Sequence, residues 1–256
     1  MKKGITISIV NQKGGVGKTT TAVNLASYLS ELNHRVLLVD FDPQANASSA
    51  VGIKKEKINK TIYELLLNDC DYKEALYPTA FKNLDLLPSS PNLAAAEVEI
   101  VNQNRREFIL KEKIKPLKDY YDYIIIDCAP SLGLLTVNAL TASNQTIVPV
   151  QCEYFALEGI SQLIQTLRLI QKSLNPNLRI AGILLTMVDI RTSLNRSVIE
   201  NIKGYFDDLV FDTMIPRNIR LAEAPSHGLP IALYKPECKG SISYLKLAKE
   251  TIERVK

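Results

Sequence analysis

The sequence predicts an α/β fold in which a mostly parallel, twisted sheet carries helices on both faces, organised as one domain over residues 1–256. Short β-branched runs alternate with longer helical patterns from one end to the other, the order produced by parallel strands joined through helices. Most of those runs are apolar at every position, as strands buried on both faces are. With 46% hydrophobic and 23% charged residues the chain can bury a large core, and no repeat, low-complexity tract or Gly/Ser linker divides it.

Strands are expected at 5–10, 35–40, 84–87, 123–127, 146–150, 180–187 and 210–215. The first is followed by a glycine-rich turn and then by Ala22, Leu25, Ala26, Leu29 and Leu32 at helical spacing, so residues 13–20 join a strand to a helix N-terminus. Between 146–150 and 180–187, Leu157, Ile160, Leu163, Ile164, Leu167, Ile170 and Leu174 recur at steps of three and four, an apolar face that reads as packing. Residues 87–92 read as a proline-containing loop. Residues 242–255 read as a terminal helix that docks through Leu245, Ile252 and Val255.

A net charge of +4 and a pI near 8.7 permit an anionic partner without naming one. Cys70, Cys128, Cys152 and Cys238 form no C-x-x-C pair, which argues against a zinc knuckle or a dithiol site and for reduced, mostly buried small residues. Cys128 reads as a core filler, since one cysteine cannot hold an iron–sulfur cluster. His34 and His227 stand apart from any metal-like cluster. The start resembles a signal peptide, but its apolar run stops at Asn11 and meets Lys13 and Lys18, so it reads as a strand. No stretch reaches the ~20 apolar residues of a membrane helix, and a cytoplasmic chain is expected.

Residues 11–20, NQKGGVGKTT, contain the G-K-T core of a phosphate loop, whose glycines let backbone N–H groups close around phosphate oxygens. In such a loop Lys18 reaches the β and γ phosphates, Thr19 offers its hydroxyl to Mg²⁺, and the following helix adds the positive end of its dipole. The expected fold is therefore a P-loop NTPase. The strict pattern requires glycine five places before Gly17, where this chain has Gln12 followed by Lys13. Asp40 and Asp42 lie two residues apart at the end of an apolar run, so alternation points both to one side at the edge where parallel sheets place ligands. Asp127 ends another apolar run, the Walker B arrangement that holds magnesium directly or through water.

Lys13-Gly14-Gly15-Val16-Gly17-Lys18-Thr19 resembles the deviant Walker A motif shared by ParA, MinD and the nitrogenase iron protein. The resemblance implies that Lys13 crosses a dimer interface to the partner's nucleotide, a cation supplied in trans like an arginine finger, for which ~10³ to 10⁵ in rate is typical. It implies ATP contacts from residues 13–19 and Thr20, with Lys13, Lys18 and Asp42 catalytic. Asp42, in D-x-D-P-Q, positions the attacking water; Thr19, Asp40 and Asp127 serve magnesium; and the segments after Asp40 and Asp127 act as switches I and II.

Residues 40–46, 127–131, 148–159 and 215–228 look like the Soj-type chromosomal ParA. That likeness places Pro216 and Asn218 against the adenine base, with Thr186 and Met187 on its other side. It also makes Arg191 and Arg220 DNA contacts, with Arg196, Lys203 and Arg217 as further candidates, because loop arginines fix a protein on phosphates without reading sequence. The implied activity is ATP hydrolysis by a homodimer that binds double-stranded DNA nonspecifically when ATP-bound, is nucleoid-associated, and is triggered by a ParB-like centromere-binding protein. The phosphate loop begins almost at residue one, so operator binding through an added helix-turn-helix is not expected. A MinD-like membrane-associated ATPase is the alternative; Glu250 and Glu253 in the terminal helix disfavour it, and cysteine placement disfavours an electron-transfer relative.

Overall fold

The computed structural model describes residues 3–153 and 156–256. The strands are β1 (Ile5–Ile9), β2 (Val36–Phe41), β3 (Tyr77–Pro78), β4 (Leu84–Leu87), β5 (Tyr123–Cys128), β6 (Gln145–Gln151) and β7 (Arg179–Thr186). They form one sheet in the order β3-β4-β2-β5-β1-β6-β7, parallel throughout except for β3 against β4. β1 thus lies between β5 and β6: the chain crosses from β1 past β5 to β2, and later from β5 past β1 to β6 on the other side.

Alternation along each strand divides the core in two. Leu37, Val39, Phe41, Ile124, Ile126 and Cys128 face a layer built by the helices Ile62–Leu66, Leu93–Ile100, Ile109–Ile114, Leu134–Ala142, Ala156–Ser173 and Ser193–Phe206. Val36, Leu38, Tyr123, Ile125, Ile7 and Ile9 face the helices Lys18–Glu31 and Lys239–Arg254 with the short turns Asn46–Ala50 and Ile231–Tyr234. Of the expected apolar faces, Ala22, Leu25, Ala26 and Leu29 in one helix and Ile160, Leu163, Ile164, Leu167 and Ile170 in another are buried, while Leu32, Leu157 and Leu174 at the ends are partly covered. All four cysteines are free, Cys128 and Cys152 fully buried.

Residues 210–215 do not form the expected strand. The segment runs beside β7, with Phe211 N donating to Ile183 O and Ile215 N to Leu185 O, but between those points Asp212 N and Thr213 N turn to the Glu250 carboxylate. Two amides captured by a side chain cannot continue a ladder, and only an isolated bridge remains at Val210. β7 stops at Thr186 rather than Met187 because Met187 takes a left-handed φ of 50°. β3 was not foreseen; it is two residues long and ends on a proline, which only a sheet edge accommodates.

The terminal helix does dock, with the residues read from sequence at one margin of a wider buried face. Gly240, Ser241, Tyr244, Leu247, Ala248 and Thr251 are its fully buried residues, Val255 is buried beyond its end, and Leu245 and Ile252 are partly covered against the same core. A fully buried leucine-sized side chain contributes roughly 1.5–3 kcal/mol. Glu250 and Arg254 fasten the same helix: Arg254 donates to Val210 O at 2.8 Å and lies over the Phe211 ring.

Candidate active site

The loop between β1 and the helix Lys18–Glu31 turns at Gly17, whose φ of 90° a side chain would strain. Gly17 also occupies the N-cap position, where it supplies no side-chain cap, and the first helical turn contains no acidic residue. The first amides of the helix are therefore left for an anion. Three side-chain bonds fix the loop backbone: Asn11 Nδ2 donates to Pro149 O at 2.8 Å, Asn11 Oδ1 accepts from Lys13 N at 2.9 Å, and Thr186 Oγ1 donates to Val16 O at 2.9 Å. Asn11 was not singled out from sequence; an asparagine directly after an apolar strand and before a phosphate loop is the signal that could have found it.

Lys18 is 7% exposed and its ammonium donates to Lys13 O at 3.0 Å. Burial lowers its pKa, while Asp127 and Asp42 oppose the shift by favouring the charged form. Lys13 forms an ion pair with Glu153, just beyond the end of β6, at 2.7 Å, both side chains about half exposed.

Asp40 and Asp127 face each other across adjacent strands in register, and Asp127 is also in register with Ile9 of β1. Leu38 and Ile125, two residues earlier, face the helix Lys18–Glu31, so alternation brings both carboxylates to that side. Burial, and then the charge of Asp40, raise the Asp127 pKa well above the usual carboxylate value. The Thr19 hydroxyl is near enough to favour the charged form, yet neither Asp127 oxygen has a hydrogen-bond partner. Asp40 has one task already: its Oδ2 accepts from Ser48 N and Ser48 Oγ, both at 2.7 Å, and its Oδ1 from Asp42 N at 3.3 Å. Burial raises its pKa to about 6 against those donors. Its carboxylate thus ties the turn Asn46–Ala50 to the sheet, and Ser48 passes the link on by accepting from Ser89 N. Asp42 is 7% exposed, and its Oδ1 accepts from Gln44 N.

Beside Gly17 opens a cavity of about 410 Å³ lined by Thr20, Thr186, Met187, Pro216, Asn218 and Tyr244 among others. The bond from Val188 N to Ile215 O and the bond from Arg217 N to Val188 O set Met187 and Pro216 side by side. Asn218 uses its Oδ1 to cap the helix Ile219–Glu223 through Arg220 N, which leaves its amide NH₂ as the group free to donate. The structure thus brings together the phosphate loop, Asp40, Asp42, Asp127 and the four residues named for the base.

A family model described as an AAA domain matches residues 4–180. The sporulation initiation inhibitor protein Soj of Bacillus subtilis (strain 168) is 56% identical over 96% of this chain and 98% of its own length. The chromosome partitioning protein ParA of Myxococcus xanthus (strain DK1622) is 54% identical over 98% of this chain and 89% of its own. The chain belongs to the ParA/Soj family. Among solved structures, the crystal structure of cobyrinic acid a,c-diamide synthase from Mycobacterium smegmatis with bound ADP and magnesium superposes on this ParA/Soj chain with a TM-score of 0.84 at 36% identity, covering 96% of this chain and 93% of that one.

The carboxylate of Asp127 makes this ParA/Soj site fit a divalent cation. A fully buried, unpartnered carboxylate is costly unless a cation or donor meets it, and here Lys18 and the Thr19 hydroxyl border it. Of the candidate DNA residues, Arg217 lines the cavity, whereas Arg191, in the loop after β7, and Arg220, in the helix Ile219–Glu223, lie outside it and each has an acidic partner that sequence reasoning missed. Arg191 grips Asp189 at 2.8 and 2.6 Å and holds that carboxyl down to about 2, and Arg220 pairs with Glu223 at 2.7 Å. Both acids were visible in the sequence, two residues before and three residues after. Arg196 donates to Ile190 O, and Arg217 and Lys203 are exposed. Within the segment 148–159, Tyr154 and Phe155 lie outside the described residues. No helix of the described residues is long and apolar enough to cross a membrane, and they contain no group of three or more His, Cys, Asp or Glu side chains placed to hold a metal ion by themselves.

Proposed function

We propose that this chain partitions DNA as an ATP-driven switch: two copies pair around ATP, the pair binds duplex DNA without sequence preference, and hydrolysis, stimulated by a ParB-like partner, releases it. The chain is an ATPase that uses magnesium, and chromosomal DNA is the cargo that the names of its relatives suggest. The observation that carries the reading is the fully buried, unpartnered Asp127 carboxylate beside Lys18 and Thr19, at the mouth of a helix whose first amides have no acidic neighbour.

In this reading the loop amides and Lys18 hold the phosphates, Thr19 and Asp127 hold the cation, and Asp40 supports them by fixing the Ser48 turn. A bound magnesium ion neutralises phosphate charge during transfer. Asp42 stands 7% exposed at the end of β2, braced through Gln44 N, a place from which its free oxygen can orient water. Met187, Pro216 and Asn218 clasp the base in the apolar cavity. Lys13, half exposed and paired with Glu153, serves the nucleotide of a second copy. Arg191 and Arg220 exchange Asp189 and Glu223 for DNA phosphates, a modest demand because exposed ion pairs are worth about 0–1 kcal/mol.

The test combines sedimentation with plasmid DNA or liposomes and gel filtration, each with ATP and magnesium. Wild type should pair and sediment with DNA. Lys13→Ala should bind ATP without pairing, and Asp42→Ala should form a persistent DNA-bound pair with little turnover. Sedimentation with liposomes instead of DNA, or normal pairing by the Lys13 variant, would overturn the proposal.

A further inference from the structure

The loop 129–133 leads from the end of β5, just after Asp127, to the helix Leu134–Ala142, and that helix starts without a cap of its own. Gly133 occupies the N-cap position, no side chain of the segment caps it, and its first turn contains no acidic residue. The missing acceptor comes from another element. Glu97, half-buried on the helix Leu93–Ile100, accepts from Leu135 N through Oε1 at 3.1 Å.

Gly133 makes that approach possible: a Cβ there would lie 2.5 Å from Glu97 Oε1 and 3.4 Å from Oε2. The same carboxylate brings negative charge to the positive end of the helix. Two internal bonds complete the anchorage, Ser131 N to Ala129 O at 2.9 Å and Thr136 Oγ1 to Ser131 O at 2.8 Å. One end of the loop is thus held by β5, just after Asp127, and the helix at its other end is capped by Glu97.

We propose that Glu97 is a positioning residue for ATP hydrolysis, one that sets the loop after Asp127 in its working place without touching the nucleotide. The inference rests on the ATPase reading above. Its physical content is that the helix leaving the loop takes its side-chain cap from a separate helix, as a single charge-assisted contact beside the loop's own internal bonds. Loss of that contact removes a cap of about 1 kcal/mol, which multiplies local opening about fivefold.

The experiment compares wild type with Glu97→Ala and Glu97→Gln in the full chain. It measures hydrogen exchange at amides 129–135 without nucleotide, then ATP affinity, kcat and KM. The alanine variant should exchange about fivefold faster across that segment and lose about fivefold or more in kcat, with KM and ATP affinity within about twofold. Glutamine keeps a carbonyl oxygen for Leu135 N and should recover most of both losses. Unchanged exchange in the alanine variant overturns the proposal, and so does faster exchange with unchanged kcat, which would make Glu97 a cap and nothing more. A wild type that binds no ATP would sink the ATPase reading itself, an outcome the affinity measurement separates from the other two.

Discussion

Asp127→Asn should make the nucleotide-free protein more stable and the ATP-bound protein less so. The wild-type carboxylate is fully buried with neither oxygen bonded, and Asn is nearly isosteric without the charge. A buried unsatisfied polar group costs about 1–3 kcal/mol and more when charged; Asn is also unsatisfied but uncharged, so the variant should gain only the added cost of the charge, on the order of 1–3 kcal/mol at neutral pH. For a chain of this size each kcal/mol moves Tm by roughly 2–4 °C, which gives a rise of roughly 2–12 °C in EDTA. The gain has a definite pH dependence. Burial and Asp40 raise the folded-state pKa, so the folded protein keeps a proton that the unfolded chain gives up near 3.8, and wild type loses stability as pH rises above that value. The advantage of the variant should therefore be absent below about pH 4 and grow toward neutrality. With ATP and magnesium at a thousand times Kd, wild type gains ~4.1 kcal/mol by mass action, and the variant should lose most of that gain, so the order of the two proteins inverts. Thermal unfolding at pH 5 and pH 8, in EDTA and then with ATP and magnesium, reads all four values. A variant less stable than wild type in EDTA at pH 8 would refute the assignment of Asp127 as a cation site awaiting its ion.

Arg191→Ala should flatten the salt dependence of DNA retention by ~0.9 per lost phosphate contact, hence ~1.8 for a pair of chains, whereas Asp189→Asn, which frees Arg191, should tighten retention; slopes unchanged in both would remove Arg191 from the footprint. Lys118 donates to Ala142 O and Asn144 Oδ1, and burial, then Lys111 and Lys3, lower its pKa to about 8. Its charged form is disfavoured in the folded state, so wild type should be penalised below pH 8 and recover between 8 and 10.5. Lys118→Met should accordingly raise the urea midpoint at pH 7 and not at pH 10.5, and no gain at pH 7 would contradict burial as the cause of the shift.

The parts of the site that could be read from sequence are those set by strand alternation and by a local turn. Asp40 and Asp127 end apolar strands, the glycines sit between a strand and an amphipathic helix, and the structure places all of them on one edge. What could not be read depends on distant partners. Residues 210–215 have strand composition, but Glu250, far along the chain, takes two of their amides. Asp40 reads as a metal-site acid, yet its nearest donors come from Ser48, which only the folded turn brings back to β2. Docking of the terminal helix was legible but the width of its buried face was not, because the apolar pattern does not reveal that Tyr244 meets the Thr21 hydroxyl inside the core. The partners of Arg191 and Arg220 were legible and overlooked: reading an arginine for phosphate leaves out the acid beside it.

The two loop lysines show how the site can wait for a triphosphate without collapsing. Lys18 has lost most of its hydration, and the carbonyl of Lys13 takes its ammonium, so a strained cation is held by a neutral acceptor that phosphate oxygens can outbid. The backbone at Lys13 cannot follow its side chain, because Asn11 ties Lys13 N to Pro149 O through one amide group. The Lys13 side chain is different: its bond to Glu153 is half exposed to solvent, a pair worth about 0–1 kcal/mol, and it leaves that partner at little cost. A fixed backbone with a loosely held cation is the arrangement a residue needs if it is to leave its own loop and reach a nucleotide bound to another copy.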